Sequence, residues 1–217
     1  MSGLGVPVEI GLPFAISNYK PIATQLPALA RELLDHSVTC TAIHAPEGDV
    51  VTRYTDTFLK WAGRLSDFAN QVSAEVIVFH PKKPTALNRR TCLDFLVKNV
   101  AALQKTTRAV ITVETFKGLK WIDYKAVIAA GLPLCLDTSH LSHRDTLEVL
   151  DGHLGQVRHI HISEAGDGDV HEPVGEFGTQ VLHKLARARW AGSVCFEYMD
   201  EYFERAIEDC KRFHEQY

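Results

Sequence analysis

Short apolar runs alternate with longer segments of helical spacing along the whole chain. The runs are rich in β-branched residues, as in VIVF at 76–79, whereas the segments between them place apolar residues every three to four positions. Strands are predicted at Val8–Phe14, Val38–Pro46, Ala74–Pro81, Arg108–Thr115, Leu132–His140, Val157–Ile162 and Ser193–Tyr198. Helices are predicted at Pro21–His36, Thr52–Gln71, Asn88–Lys105, Trp121–Ala130, Asp145–Leu154, Thr179–Trp190 and Tyr202–His214.

Seven strands that alternate with helices predict an α/β protein with a parallel sheet buried on both faces. No glycine-rich phosphate loop follows the first strand, which favours a parallel (β/α) TIM barrel over an open doubly wound sheet. A full barrel has eight units in about 250 residues, whereas this chain has 217 residues. We therefore expect one domain, 1–217, that lacks a unit or hides an irregular strand within residues 1–20. A missing unit would lie between the first strand and the strand that ends in His44.

Composition narrows the class of protein only slightly. Hydrophobic residues make up 46% and charged residues 23% of the chain, which is ordinary for a globular protein. A net charge of −4 gives no overall basic character for nucleic-acid binding. The five cysteines are not closely paired, and those inside apolar strands, Cys40, Cys135 and Cys195, are predicted to be buried free thiols in a reducing cytosol. No apolar run reaches the length of about 18 residues that a membrane span needs, so we expect a cytoplasmic location without membrane contact. If the barrel lacks a unit, we expect its open edge to be covered by the N-terminal residues or by a second subunit of a homo-oligomer.

Metal-ligating residues recur at the carboxyl ends of the predicted strands, where the active sites of parallel barrels lie. Six of the seven strands end in such a residue, namely His44, His80, Glu114, Asp137, His161 and Glu197. Carboxylates that converge on one place repel each other unless a cation neutralises them. Mixed imidazole and carboxylate ligands suit zinc, manganese or iron better than calcium or magnesium. The sequence therefore predicts a divalent metal site, with zinc favoured and manganese as the alternative.

Further candidate ligands lie in the loops after two of these strands. His140 follows Asp137 by three residues, and the loop after His161 presents Asp169 and His171 two residues apart, so that both can face one cation. His159 is interpreted as structural, pointing away from the metal site toward the helices.

These fragments together resemble the endonuclease IV family, within the larger set of xylose isomerase-like barrels. The resemblance extends from about Val38 to Tyr198 and rests on seven motifs in order: IHAP at 43–46, FHP at 79–81, VET at 113–115, LDTSH at 136–140, HIS at 161–163, DVH at 169–171 followed by Gly175-Glu176, and FE at 196–197. It implies up to three metals. His44, His80 and Glu114 would hold the first; Glu114, Asp137, His161 and Glu197 the second; and His140, Asp169 and His171 the third.

The resemblance implies a metal-dependent phosphoester hydrolase that cleaves abasic-site DNA, with Glu114, Glu197 and His140 as catalytic residues. The alternative is an isomerase or epimerase of a sugar or sugar phosphate, which needs a single divalent metal. A third interpretation is a metal-binding barrel without catalytic activity. The substrate would accordingly be abasic-site DNA or a small phosphorylated sugar.

Overall fold

The computed structural model describes residues 6–12, 19–46, 56–81, 89–115, 124–165 and 171–216. The chain contains two compact units, one of residues 1–114 and 119–133 and the other of residues 115–118 and 134–217. All seven predicted strands are found, and at least one helix follows each of them before the next begins. None of the helices within these described ranges combines the length and the apolar character needed to cross a membrane.

The first unit consists of four successive strand–helix repeats. Its elements are β1 (Val8–Gly11), α1 (Tyr19–Asp35), β2 (Cys40–His44), α2 (Asp56–Val72), β3 (Val76–Phe79), α3 (Arg89–Leu103), β4 (Val110–Glu114) and α4 (Tyr124–Ala129). The strands pair in chain order, and every pair is parallel. Strand β3 is buried along its whole length, which explains its unbroken apolar sequence because both of its faces are covered. Phe68 of α2 and Leu96 of α3 are almost fully buried in the same core.

Strands β1 and β2 are direct neighbours. Val8 lies opposite Cys40 and Gly11 opposite His44, and the main-chain N–H of Leu12 donates to the carbonyl of His44 at 3.0 Å. The expectation of a missing unit between these two strands is therefore wrong. The physical reason is that main-chain hydrogen bonds between distant segments decide which strands are neighbours. The length of the chain, from which the missing unit was inferred, carries no information about these bonds.

The second unit contains three parallel strands and a short antiparallel ribbon. Its elements are β5 (Leu134–Asp137), α5 (His143–Gly152), β6 (Val157–Ile162), β7 (Glu164–Ala165), β8 (His171–Glu172), α6 (Glu176–Arg187), β9 (Ser193–Phe196) and α7 (Phe203–Gln216). Strand β6 pairs in parallel with both β5 and β9. The ribbon of β7 and β8 occupies the segment that the sequence predicts as a loop.

The predicted fifth strand, Leu132–His140, ends earlier than expected, at Asp137. The carboxylate Oδ1 of Asp137 accepts hydrogen bonds from the main-chain N–H and the hydroxyl of Ser139, both at 2.7 Å. This local turn replaces the strand ladder and brings Thr138 to His140 back over the strand end. Asp169 and the end of the predicted first strand at 13–14 lie outside the described residues.

Candidate metal centre

The first unit brings together one carboxylate and two imidazoles at the carboxyl ends of three neighbouring strands. His44 is the last residue of β2, His80 follows β3, and Glu114 is the last residue of β4. Glu114 Oε2 lies 3.1 Å from His44 Nε2 and 3.7 Å from His80 Nε2. We call these three residues the first donor cluster. Its members converge because parallel strands in register end at the same edge of the sheet.

Burial distinguishes the members of the first donor cluster. The side chain of Glu114 is 2% exposed and that of His80 is 8% exposed, whereas that of His44 is 21% exposed. His44 Nδ1 is 3.1 Å from the carbonyl oxygen of Ala45, which directs Nε2 toward Glu114. Burying a carboxylate is costly without a compensating charge. Two imidazoles and a buried carboxylate form a donor set that a divalent cation satisfies.

The second unit forms a larger group of donors. Asp137 and His161 lie opposite each other at the ends of β5 and β6, and Glu197 follows β9. His161 Nδ1 is 2.9 Å from Glu197 Oε2. The donor atoms of Asp137, His161 and Glu197 all lie within 4.8 Å of one another. Glu197 is the most accessible of them, with its side chain 37% exposed, whereas that of Asp137 is fully buried.

His140 and His171 complete this group. His140 Nδ1 lies 3.2 Å from Asp137 Oδ2 and 2.7 Å from the carbonyl oxygen of Thr115. The donor atoms of Asp137, His140 and His171 lie within 4.8 Å of one another, and His171 Nδ1 is 4.0 Å from Glu197 Oε2. We call Asp137, His140, His161, His171 and Glu197 the second donor cluster. Asp169, the remaining predicted ligand, lies outside the described residues.

Hydroxyl side chains orient the donors of the second cluster. The Ser163 hydroxyl lies 3.0 Å from His171 Nδ1. The Thr138 hydroxyl donates to the Ser163 carbonyl at 2.7 Å and accepts from the Ser163 N–H at 3.1 Å. Sequence reasoning missed these groups, although the signal was present: a Ser or Thr stands within two residues of Asp137 and of His161. Outer hydrogen bonds of this kind fix the orientation of metal-ligating side chains.

Glu164 anchors the ribbon that carries His171. One carboxylate oxygen, Oε1, accepts hydrogen bonds from the N–H groups of Gly175 at 3.1 Å and Gly178 at 2.9 Å, at the start of α6. A side chain at position 178 would bring its Cβ to 2.9 Å from Val174 Cγ1. Any larger residue at this position would therefore force the Val174 side chain to shift. The sequence offered no indication of the anchor, because it joins residues that are 11 and 14 positions apart and share no periodic pattern.

The predicted direction of the His159 side chain is wrong, whereas its structural role stays a prediction. His159 and His161 are two residues apart on one strand, so their side chains lie on the same face. Their ring centroids are 5.1 Å apart. The donor atoms of Cys135, His159 and His161 all lie within 4.8 Å of one another. We call these three residues the inner triad, since Cys135 and His159 stand one layer behind the strand ends that carry Asp137 and His161.

Comparison with known proteins places this geometry in context. Residues 8–215 match the profile of a family described as xylose isomerase-like TIM barrel. The match confirms the predicted fold class, a parallel (β/α) TIM barrel with seven recognisable strands, and confirms the resemblance drawn from the motifs. That the whole chain forms a single domain stays a prediction. No curated protein sequence matches the chain with statistical significance.

Several solved structures share the fold at low sequence identity. A D-tagatose 3-epimerase-like protein has a TM-score of 0.69 at 16% identity, covering 95% of this chain and 87% of its own. Endonuclease IV from Thermus thermophilus has a TM-score of 0.64 at 17% identity, covering 99% and 91%. The IolI protein, solved with a bound zinc atom, has a TM-score of 0.63 at 16% identity, covering 95% and 85%. The fold is thus shared by proteins named for two different reactions.

Proposed function

Because the chain belongs to the xylose isomerase-like TIM barrel family, we propose that it is a metal-dependent phosphoester hydrolase similar to endonuclease IV, with abasic-site DNA as substrate. One observation carries this proposal. The described residues include eight candidate ligands in two clusters, three in the first unit and five in the second. A single cation takes about four protein ligands, so this donor set is larger than a one-metal reaction needs.

The ligands divide among up to three metals in this proposal. His44, His80 and Glu114 hold the first metal, and their convergence within the first unit supports this assignment. The second metal is held by Asp137, His161 and Glu197, with Glu114 as a bridging ligand, and the third by His140, Asp169 and His171. The bridge and the part of Asp169 rest on the family resemblance alone. Zinc suits the mixture of imidazole and carboxylate, with manganese as the alternative.

When bound, the metals would lower the pKa of a coordinated water and stabilise negative charge on the phosphate. The protein's own residues hold and orient the groups around this chemistry. Glu114 is buried between two imidazoles, whereas the partly exposed carboxylate of Glu197 would face the substrate. His140 is held by the Thr115 carbonyl at 2.7 Å, which leaves its ring little freedom to turn. These three residues are the proposed catalytic residues.

The second candidate is an isomerase or epimerase acting on a sugar or a small phosphorylated sugar. The compact group of Asp137, His161 and Glu197 favours it, because three ligands within 4.8 Å of one another could hold one catalytic cation with an open position. The accessible carboxylate of Glu197 could then exchange a proton with the sugar. The two candidates differ in their demand for the first donor cluster and for His171.

The experiment compares two activities in the wild type and in His171→Ala. Cleavage of a DNA duplex with one abasic site is measured beside aldose–ketose interconversion and epimerisation of a small sugar panel, both with added zinc or manganese. The hydrolase should cleave the duplex, and His171→Ala should lose a hundredfold or more in rate, since removing one group that stabilises the transition state costs roughly 3 kcal/mol or more. His153→Ala is the matched control, because His153 is exposed and outside both clusters. A wild type that leaves the duplex intact but converts a sugar would establish the alternative.

Metal content separates the candidates independently of substrate. Elemental analysis should give up to three metals per chain in the hydrolase and one in the isomerase. Changing Glu114 to Gln keeps the shape but removes the charge that two cations would share, so metal content and activity should fall together. Full metal occupancy in Glu114→Gln would contradict the bridging role.

A further inference from the structure

The inner triad lies in a layer where donor side chains are not expected. The side chains alternate along a strand, so the residue two positions before each strand-end donor occupies the next layer on the same face. In the first unit the residues two positions before the donors are Ala42, Val78 and Thr112. Val78 and Thr112 lie opposite each other, and the Thr112 hydroxyl donates to a main-chain carbonyl at 3.3 Å. In the second unit the residues two positions before Asp137, His161 and Glu197 are Cys135, His159 and Cys195, and the first two lie opposite each other. Packing of the strands alone therefore does not require donors at this depth.

Hydrogen bonds fix how the two histidines present their rings. His159 Nδ1 lies 2.7 Å from the hydroxyl of Ser193, the residue opposite it on β9. His161 Nδ1 lies 2.9 Å from Glu197 Oε2. Each ring is therefore held through Nδ1, and Nε2 is the nitrogen that we assign to a ligand. Orientation through the second ring nitrogen is typical of metal-binding histidines.

The donor types of the inner triad differ from those of the two donor clusters. Cys135 supplies sulfur, and the exposures of Cys135, His159 and His161 are 0%, 1% and 0%. Thiolate and imidazole together prefer soft and borderline cations, whereas carboxylate-rich sets suit harder ones. We propose that the inner triad is a second kind of metal site, which binds a thiophilic divalent cation such as Zn²⁺ or Cd²⁺. Binding releases the proton of the Cys135 thiol to solvent as the metal–sulfur bond forms.

The site has a functional consequence that rests on the proposed function. His161 belongs both to the inner triad and to the proposed second metal site. A neutral imidazole offers one lone pair to a cation, so His161 serves one of the two sites at a time. A thiophilic cation in the inner triad should therefore inhibit the enzyme by withdrawing His161 from the second donor cluster.

Cadmium binding to the purified protein tests the site without reference to activity. Cd²⁺ bound by a thiolate gives a charge-transfer absorption in the ultraviolet that nitrogen and oxygen ligands do not give. The wild type should develop this band on titration with Cd²⁺, and Cys135→Ser and Cys135→Ala should both lose it. His159→Gln should weaken the band, whereas Cys195→Ala, which changes a neighbouring cysteine outside the triad, should keep it. A band that persists in both Cys135 variants, or that disappears only in Cys195→Ala, would overturn the proposal.

Inhibition of the enzyme activity by Cd²⁺ is the second test of the proposal. Excess Cd²⁺ should inhibit the wild type, and Cys135→Ser should keep basal activity while losing most of that inhibition. Equal inhibition of the wild type and Cys135→Ser would refute the competition for His161. If the protein hydrolyses no phosphoester yet shows the cysteine-dependent band, the proposed function fails and the metal site stands.

Discussion

Removing the carboxylate of Glu164 should destabilise the segment that carries His171. Glu164 joins β7 to the first turn of α6 by accepting hydrogen bonds from the N–H groups of Gly175 and Gly178. These N–H groups have no partner within the helix, because the first turn of any helix leaves its donors unsatisfied. The negative charge also lies at the positive end of the helix dipole. Glu164→Ala removes both effects at once.

The expected loss follows from these two contacts. Deleting a side-chain cap at a helix N-terminus costs about 0.5–2 kcal/mol, and a charge at that end contributes about 0.3–1 kcal/mol where it is partly exposed. Because Gly175 is exposed, water replaces part of the lost hydrogen bond. We therefore expect the free energy of unfolding to fall by about 1.5 kcal/mol, which corresponds to a decrease in Tm of about 3–6 °C for a chain of this size. Glu164→Gln keeps an acceptor oxygen without the charge and should lose less.

Thermal unfolding followed by circular dichroism measures the effect. The control is Glu172→Ala, because Glu172 lies directly opposite Glu164 in the ribbon and is exposed. Glu172→Ala removes a carboxylate from the same ribbon but leaves the anchor intact, so its Tm should stay within about 2 °C of the wild type. Equal Tm values for Glu164→Ala and Glu172→Ala would refute the anchor.

Three further predictions concern stability and reactivity. Burial raises the pKa of Tyr198 above its usual range, and the Tyr198 hydroxyl donates to Asp209 at 2.9 Å. The protonated hydroxyl therefore stabilises the folded protein fully below about pH 10, and this stabilisation is lost as the pH rises further. Tyr198→Phe should thus lower the free energy of unfolding by about 1–2 kcal/mol at pH 7, and denaturant titrations should show this difference narrowing above pH 10. Burial raises the pKa of Cys40 to about 12, with a smaller contribution from the charge of Glu9. Iodoacetamide at pH 8 should therefore alkylate Cys40 only after urea has unfolded the protein, which mass spectrometry can detect. Ser142 caps α5 by accepting from a main-chain N–H at 3.1 Å, and Ser142→Ala should cost about 1 kcal/mol in the same titrations, whereas an unchanged midpoint would contradict the cap.

The strand-end donors were predictable because two regularities of sequence coincide in them. Alternating strands and helices imply a parallel arrangement, and a parallel arrangement brings the carboxyl ends of neighbouring strands together. His44, His80 and Glu114 meet within the first unit for this reason, and so do Asp137 and His161 within the second. Neither regularity reports which strands are neighbours, so the expected gap before the His44 strand was wrong.

The groups that orient the donors could not be predicted from the sequence in the same way. The hydroxyl of Ser163 and the carboxylate of Glu164 act through hydrogen bonds to His171 and to the start of α6. Both contacts join residues that are 8 to 14 positions apart, and the sequence between them has no periodicity from which a direction could be inferred. A polar residue in such a segment has the same appearance in sequence whether it meets solvent or another part of the chain. Only the folded structure distinguishes the two cases.

The error over His159 is of another kind, because the sequence did contain the answer. A strand period of two places His159 and His161 on one face, and Cys135 stands directly opposite His159 on β5. The residue behind a strand-end ligand is usually read as core, since a barrel interior is filled by apolar side chains. Here the hydrogen bond between His159 and Ser193 allows an imidazole to be buried, because a buried polar group is tolerated once it is paired. The residue two positions before each predicted ligand should therefore be considered together with the ligand, because the strand period places both side chains on one face.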